Sequence, residues 1–483
     1  MDAIAGRPAP VDFGRKWWVF GTVSAGVLLA TIDGSIVNIA LPTLVAEFGT
    51  TFGVVQWVTL SYLLTLAALS LGVGRLGDVV GKKRIYVAGM AAFTVASVLC
   101  AFAPTVGWLI GSRVFQALGA TMMLSLGAAI LAEAFPQDQR GRALGWIGTA
   151  VSVGVVTGPV VGGLLLSSFD WRSIFLVNLP VGIAGTILAW RHVPDTPPHP
   201  GQRFDFRGAL VLGGALLAFA LGLTLAQDRG FTNPVVVALL LSTVFLVILF
   251  IRVEKRHPSP MIDLGIFANP LLTASLVTGF VTFVTVSAVF LLMPFYLENV
   301  LGFPIQQAGL LMAVSPLALG VVAPIAGNLS DRVGIRGLTL AGLAVLTIAY
   351  LRFTGLSVDL TTLAYVGLAL PIGIGMGIFQ SPNNVAILSS VPSNYLGIGS
   401  GLLNITRLLG QITGAAALGT LWASRVRSYS GGSLPAGGAT DASAAAQVAG
   451  LNDTFGAATV LLVAATLLGL WAFRRQRSNL PGT

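Results

Sequence analysis

Fourteen runs of roughly 20 apolar residues follow one another along this chain, and that succession restricts its fold more than any other feature. They cover 17–41, 52–73, 85–103, 106–133, 143–167, 173–191, 208–226, 232–252, 271–297, 305–327, 337–356, 360–384, 396–423 and 454–473. In hydrocarbon every backbone N–H and C=O must be satisfied internally, so a run of this length reads as a spanning helix. Composition agrees: of 483 residues 55% are hydrophobic and only 9% charged, against roughly 25% charged in soluble domains. The expected fold class is all-α integral membrane, with the lipid bilayer as solvent. Prolines within several runs (Pro159, Pro294, Pro316, Pro371) fit a packed bundle, where neighbouring helices re-satisfy the freed backbone groups.

Lys and Arg set the orientation. Of 27 in the chain, twenty fall on the side of the two termini, five on the other, and Arg113 and Arg407 lie inside apolar runs. That bias predicts an even number of spans with both termini in the cytoplasm. The first run is too long for a signal-peptide core and contains Asp33, so it reads as a span rather than a cleaved leader. The formal charge of +9 is spread over short clusters between spans, without the basic patch that nucleic-acid binding requires. One cysteine, Cys100, excludes a disulfide framework and a Cys-based metal site. The chain has no G-x-x-x-x-G-K-[ST] loop, no H-E-x-x-H and no serine elbow, so neither direct nucleotide drive nor an enzyme of those classes is expected.

The chain also repeats itself. Gly74-Arg75-Leu76-Gly77-Asp78-Val79-Val80-Gly81 echoes in Gly327-Asn328-Leu329-Ser330-Asp331-Arg332-Val333-Gly334, both after the second span of a six-span group. The predicted organisation is a six-helix bundle at 1–203, inserted spans 7 and 8 at 204–258, and a second six-helix bundle at 259–483. Repeated halves around a midplane site are a transporter architecture. Residues 424–453, rich in Ser, Gly and Ala, are expected to form an external loop.

Asp33 is the most informative side chain. It sits roughly 24 Å of helical rise into the first span, where a carboxylate is costly unless paired, wetted or protonated. Such a group is suited to loading and releasing a proton as its surroundings change. Arg113, early in span 4, needs an anion, carbonyls or water, and Asp33 can supply the anion if spans 1 and 4 pack together. Arg407 raises the same problem in span 13. Asp78 is placed to cap a helix and meet Lys82, Lys83 and Arg84, a contact suited to gating; its echo carries Asp331 and Arg332. In span 5, Gly154-x-x-x-Gly158-Pro159-x-x-Gly162-Gly163 presents small residues that let helices approach closely. Asn38, Gln56, Trp57, Tyr62, Glu298, Gln380, Asn383, Asn384 and Arg407 are candidates to line a substrate path.

Taken together these motifs resemble the fourteen-spanner drug/proton antiporter family of the major facilitator superfamily. Ile32-Asp33-Gly34-Ser35-Ile36-Val37-Asn38-Ile39-Ala40-Leu41-Pro42 is similar to the family's L-D-x-T-I-V-N-V-A-L-P, and Gly74–Gly81 to its motif A. The span 5 glycines match the antiporter motif C, and Asp170-Trp171-Arg172-Ser173-Ile174-Phe175-Leu176-Val177-Asn178-Leu179-Pro180 resembles the signature entering span 6. The resemblance implies a major facilitator fold of two six-helix bundles plus two inserted helices, 14 transmembrane helices in all. It also implies alternating access, export of a lipophilic small molecule, and drive by the proton gradient without another cofactor. Asp33 would be the leading proton site, Arg113 the motif B arginine and Asp78 the motif A gate residue. The sequence departs from the pattern at Val79, where motif A carries a basic residue, and at Ala117, where motif B carries glycine. No acid lies at mid-depth in the second half, which favours neutral or monovalent cargo over polycations. The rival readings are a same-fold transporter of an endogenous lipid, peptide or metabolite, and a membrane sensor or scaffold without transport. A monomer in a bacterial inner membrane, with no partner beyond cargo, protons and lipid, is expected.

Overall fold

Every regular element is helical among the residues that the computed structural model describes: 16–136, 139–195, 206–256, 269–390, 396–432 and 438–478. The first group holds α1 (Lys16–Phe48), α2 (Trp57–Val80, led in by Phe52–Val55), α3 (Lys82–Ala101), α4 (Val106–Ala134), α5 (Arg140–Ser168) and α6 (Asn178–His192, led in by Ser173–Leu176). Next come α7 (Phe206–Arg229) and α8 (Pro234–Arg256). The last group holds α9 (Pro270–Phe295), α10 (Ile305–Met312 and Val314–Val333), α11 (Ile335–Phe353), α12 (Thr362–Ser389), α13 (Leu396–Tyr429) and α14 (Ala444–Ser478). Twelve of the described helices are long and apolar enough to cross a bilayer; α7, with the shorter apolar stretch Leu210–Ala226, and α13 complete fourteen.

The two groups pack alike. In the first, α1 lies on α5 and α6, α4 lies on α2 and α3, and α3 lies on α6. In the second the same pairings recur eight helices later: α9 on α13 and α14, α12 on α10 and α11, and α11 on α14. The repeated loop motif has a matching geometry, because its last glycine joins consecutive helices at positive φ in both copies, 107° at Gly81 and 86° at Gly334. A side chain at either position would be strained. Of the inserted pair, α7 packs on both α2 and α13, while α8 leans on α7 and presents most of its apolar surface outward.

The two halves meet at the face away from the chain ends, here the far face. Phe52 makes edge contacts with Phe295 and Trp422 at ring separations of 5.3 and 5.0 Å. The leading segment of α10 lies on α5, so that a Cβ added to Gly309 would overlap the Pro159 carbonyl oxygen and one on Gly163 would meet the Ile305 oxygen at 2.9 Å. On its other side α5 sits on α1, where Cβ atoms at Gly154, Gly158 and Gly162 would overlap Thr31, Ser35 and Ile39. The small residues of α5 therefore serve two contacts, one within the first half and one across the seam.

One expectation is corrected. The region 424–453 is mostly helical: α13 runs to Tyr429, a short turn covers Gly438–Asp441, and α14 begins at Ala444. Helices outlast the apolar windows because their backbone bonding continues into the polar ends. Several spans also change register near the far face, at Gln56, Val177 and Ala313 and in a π-helical turn at Tyr296–Val300. The expected boundaries near 203 and 258 lie outside the described residues.

Prediction: Gly309→Val should push the α5–α10 contact apart. With Cys100 replaced, a cysteine at Phe52 should then react faster with a membrane-impermeant maleimide than in the Gly309 parent. An unchanged rate would contradict the seam described above.

Candidate functional site: a buried ion pair beside a central cavity

Asp33 and Arg113 form an ion pair between α1 and α4, with both side chains almost completely excluded from solvent, 0% and 1% exposed. Arg113 donates to Asp33 Oδ2, to Gln116 Oε1 at 2.6 Å and through Nε to the Val58 carbonyl at 3.1 Å. Asp33 Oδ1 accepts from Gln116 Nε2 at 2.8 Å and from Asn178 Nδ2 at 3.0 Å. Ser97 Oγ on α3 accepts from the same two amides at 2.9 and 3.4 Å. Four helices, α1, α3, α4 and α6, thus converge on one carboxylate.

Local structure explains the convergence. Arg113 and Gln116, three residues apart, share a face of α4. Asn178 is the first residue of α6, aimed inward by the break at Val177. The Tyr62 ring covers the guanidinium at 4.2 Å, and its hydroxyl donates to the Ala30 carbonyl at 3.1 Å. Among charged-group contacts, a cation over a desolvated ring contributes on the order of 2 kcal/mol.

A central cavity lies on the other side of α1. It has three adjoining lobes, whose empty space including that open to solvent is about 960, 590 and 870 Å³, and Arg407 borders all of them. The largest is walled by Phe283, Phe290, Met312 and Met376 with Gln380. The second carries Gln380, Asn383, Asn384 and Asn404 and extends toward the near-face ends of α12 and α13. The third runs between the halves past Asn38, Thr59 and Tyr62.

Asp33 has no place on any of these walls; of the three states open to a carboxylate at this depth, it is the paired one. At about 100° per residue, Thr31, Gly34, Ser35 and Asn38 turn to the cavity and carry Asp33 to the opposite side of α1. Tyr62, on both the cavity wall and the Arg113 guanidinium, separates the two compartments. Of the nine candidate path residues, the structure brings Asn38, Tyr62, Gln380, Asn383, Asn384 and Arg407 to the cavity. Gln56, Trp57 and Glu298 do not line it: Gln56 and Trp57 stand at the far-face break before α2, and Glu298 lies in the π-turn beyond α9. Gln116, Asn178 and Ser97 were not singled out as site residues from sequence. The i, i+3 spacing from Arg113 was the available signal for Gln116; Ser97 carried none.

In the loop motifs, Lys82 pairs with Glu133 of α4 and Lys83 with Asp195 at 3.2 Å, whereas Arg332 is exposed. Gly74, Asp78 and Asp331 lie on helices, but their side chains fall outside the described residues.

The family model for the Major Facilitator Superfamily matches residues 23–415. The chain belongs to that superfamily. It is 34% identical over 410 residues to the riboflavin transporter RibZ of Clostridioides difficile, covering 85% of this chain and 89% of that protein. It is 32% identical over 399 residues to the multidrug resistance protein Stp of Mycobacterium tuberculosis, covering 82% and 74%. A solved bacterial homologue of the human lysosomal transporter Spinster, in an inward-facing, unoccupied conformation, superposes with a TM-score of 0.66 over 97% of this chain and 98% of that one at 17% identity. That last likeness establishes the fold. The protein is a major facilitator superfamily transporter.

Prediction: Arg113→Leu leaves an ionised carboxylate without its partner and should cost about 3–5 kcal/mol of stability, as removal of one member of a buried pair does. The double variant Asp33→Asn/Arg113→Leu should recover part of that loss. Thermal unfolding of the purified proteins, with Asp33→Asn alone completing the cycle, checks the order; single losses that simply add up to the double loss would show that the two residues are not coupled.

Proposed function

We propose that this chain is a proton-coupled antiporter that exports a lipophilic small molecule by alternating access. The observation that carries the reading is the Asp33–Arg113 pair, a titratable contact that ties α1 to α4 inside the spanning region. Protonation neutralises Asp33 and removes the charge that holds Arg113. Asn178 and Gln116 also bind the carboxylate, so α6 and α4 are released from α1 together. α1 in turn rests on the small-residue face of α5, which forms the seam with α10. A proton bound at Asp33 is thereby connected to the contact that closes the far face.

In the conformation described, the pair is sealed and the far face closed, while the cavity extends toward the near face. In this reading the near face is cytoplasmic, in a bacterial inner membrane, and the chain acts as a monomer. Cargo enters from inside while Asp33 is ionised; protons reach Asp33 once the halves reverse. The halves are those at 1–203 and 259–483, with 204–258 inserted, and the loop groups at Asp78, Lys82, Asp331 and Arg332 latch the near face in the opposite state. The proton gradient is the sole energy source, and one charge crossing 100 mV supplies about 2.3 kcal/mol. A second reading, export or uptake of an endogenous metabolite, is favoured by the similarity to RibZ, a riboflavin transporter.

Prediction: in proteoliposomes Asp33→Asn should abolish cargo flux driven by a pH gradient while keeping a monodisperse, helical protein. The amide keeps hydrogen-bonding groups in the cluster but leaves the Arg113 charge uncompensated, so some loss of stability is expected and flux is compared on the helical, monodisperse fraction. Undiminished gradient-driven flux by this variant sinks the assignment of Asp33.

A further inference from the structure

We propose that the cavity binds a lipophilic organic acid, holding its anionic group at Arg407 and its apolar body against the aromatic and methionine wall of the largest lobe. The inference rests on the reading of this cavity as the cargo site and names the class of cargo.

Arg407 lies eleven residues into α13, about 16 Å of rise from its near-face end. Its guanidinium stays charged at that depth. The two spanning arginines are treated very differently. Arg113 meets a carboxylate, an amide, a carbonyl and an aromatic face. Among the described residues Arg407 has one side-chain partner, a neutral one, donating from Nη2 to Asn404 Oδ1 at 2.9 Å. No aspartate or glutamate occurs among the described residues lining the three lobes, and Arg407 borders every lobe. The cavity therefore carries a fixed positive charge with unused donors and nothing anionic to balance it.

In a space screened from bulk water that charge repels cations and attracts anions more strongly than it would in solvent. A guanidinium fork is also matched to a carboxylate, sulfonate or phosphate. Gln380 and Gln411, which border Arg407 in the lobes they share with it, add neutral polar groups. Phe283, Phe290, Met312 and Met376 supply adaptable apolar surface beside them. The arrangement suits one acidic group joined to an aromatic or aliphatic body. Charge balance follows: each proton exchanged for a monovalent anion moves charge in the same electrical sense on both legs. A membrane potential negative on the near face then assists export, unlike the export of a cation.

The test measures binding without any gradient, so it is decided separately from the flux experiment on Asp33. The purified full chain is placed in nanodiscs and dialysed to equilibrium against 8-anilinonaphthalene-1-sulfonate or N-phenyl-1-naphthylamine, with empty nanodiscs subtracted. The two probes share a ring system and differ in the sulfonate. The parent protein should bind the sulfonate more tightly. Arg407→Gln should weaken sulfonate binding by roughly tenfold or more, as loss of a charge-assisted contact does, and leave the neutral amine nearly unchanged. Arg407→Lys should keep the preference at reduced affinity; it carries the test should the glutamine variant not fold. Equal binding of both probes by the parent, parallel loss of both in either variant, or no sulfonate binding by the parent overturns the proposal.

Discussion

A carboxylate within the bilayer needs partners that take the place of water, and in this protein they form a shell contributed by four helices. Arg113 compensates the charge of Asp33, while Gln116 and Asn178 occupy its remaining lone pairs. Removing any helix from the corner exposes a polar group to hydrocarbon, so the cluster fixes which helices are neighbours as firmly as apolar packing does. The equivalent corner of the second half is built differently. Between α11 and α14, Tyr350, Phe353 and Phe455 pack ring to ring at 5.1–6.4 Å. One half holds an ion pair at this corner; in the other, the matching contact is aromatic.

Close approach is the second ingredient. Lipid offers helices no hydrophobic reward for associating, so contacts depend on how nearly backbones can touch. The glycines of α5 let Thr31, Ser35 and Ile39 seat directly on its backbone, and Ser35 Oγ adds a bond to the Gly154 carbonyl at 3.2 Å. Pro159 and Gly163 present the adjoining face to α10. One helix is consequently in tight contact with an element of its own half and with one of the other.

Much of this was legible in the residues. Hydropathy located the spans because each must cross the same thickness of hydrocarbon, and the G-x-L-x-D-x-x-G echo exposed the repeat because both copies need a glycine at positive φ. Asp33 and Arg113 stood out because charge is rare at such depth. What stayed hidden depended on rotation and distance. Sequence gives the depth of Asp33 but not the side of α1 it occupies relative to the cavity, which is set by packing against α4 and α6. Gln56, Trp57 and Glu298 looked like path residues because polar and aromatic types occur equally at cavity walls and at helix ends. Ser97 was invisible, since a serine bonding its own helix and a serine bonding a distant amide read identically. The segment before α14 looked like a loop because alanine-rich helix and alanine-rich coil share a composition.

The inserted helix α7 has a mechanical consequence of its own. It rests on α2 from one half and α13 from the other, and Thr420 Oγ1 reaches its backbone at the Leu223 carbonyl, 3.0 Å away. Any tilt between the halves must be taken up as slippage along this shared rail, whose outer side is braced by α8 and surrounding acyl chains. The thickness and stiffness of the bilayer therefore enter the energetics of rocking through a helix that stands outside both bundles.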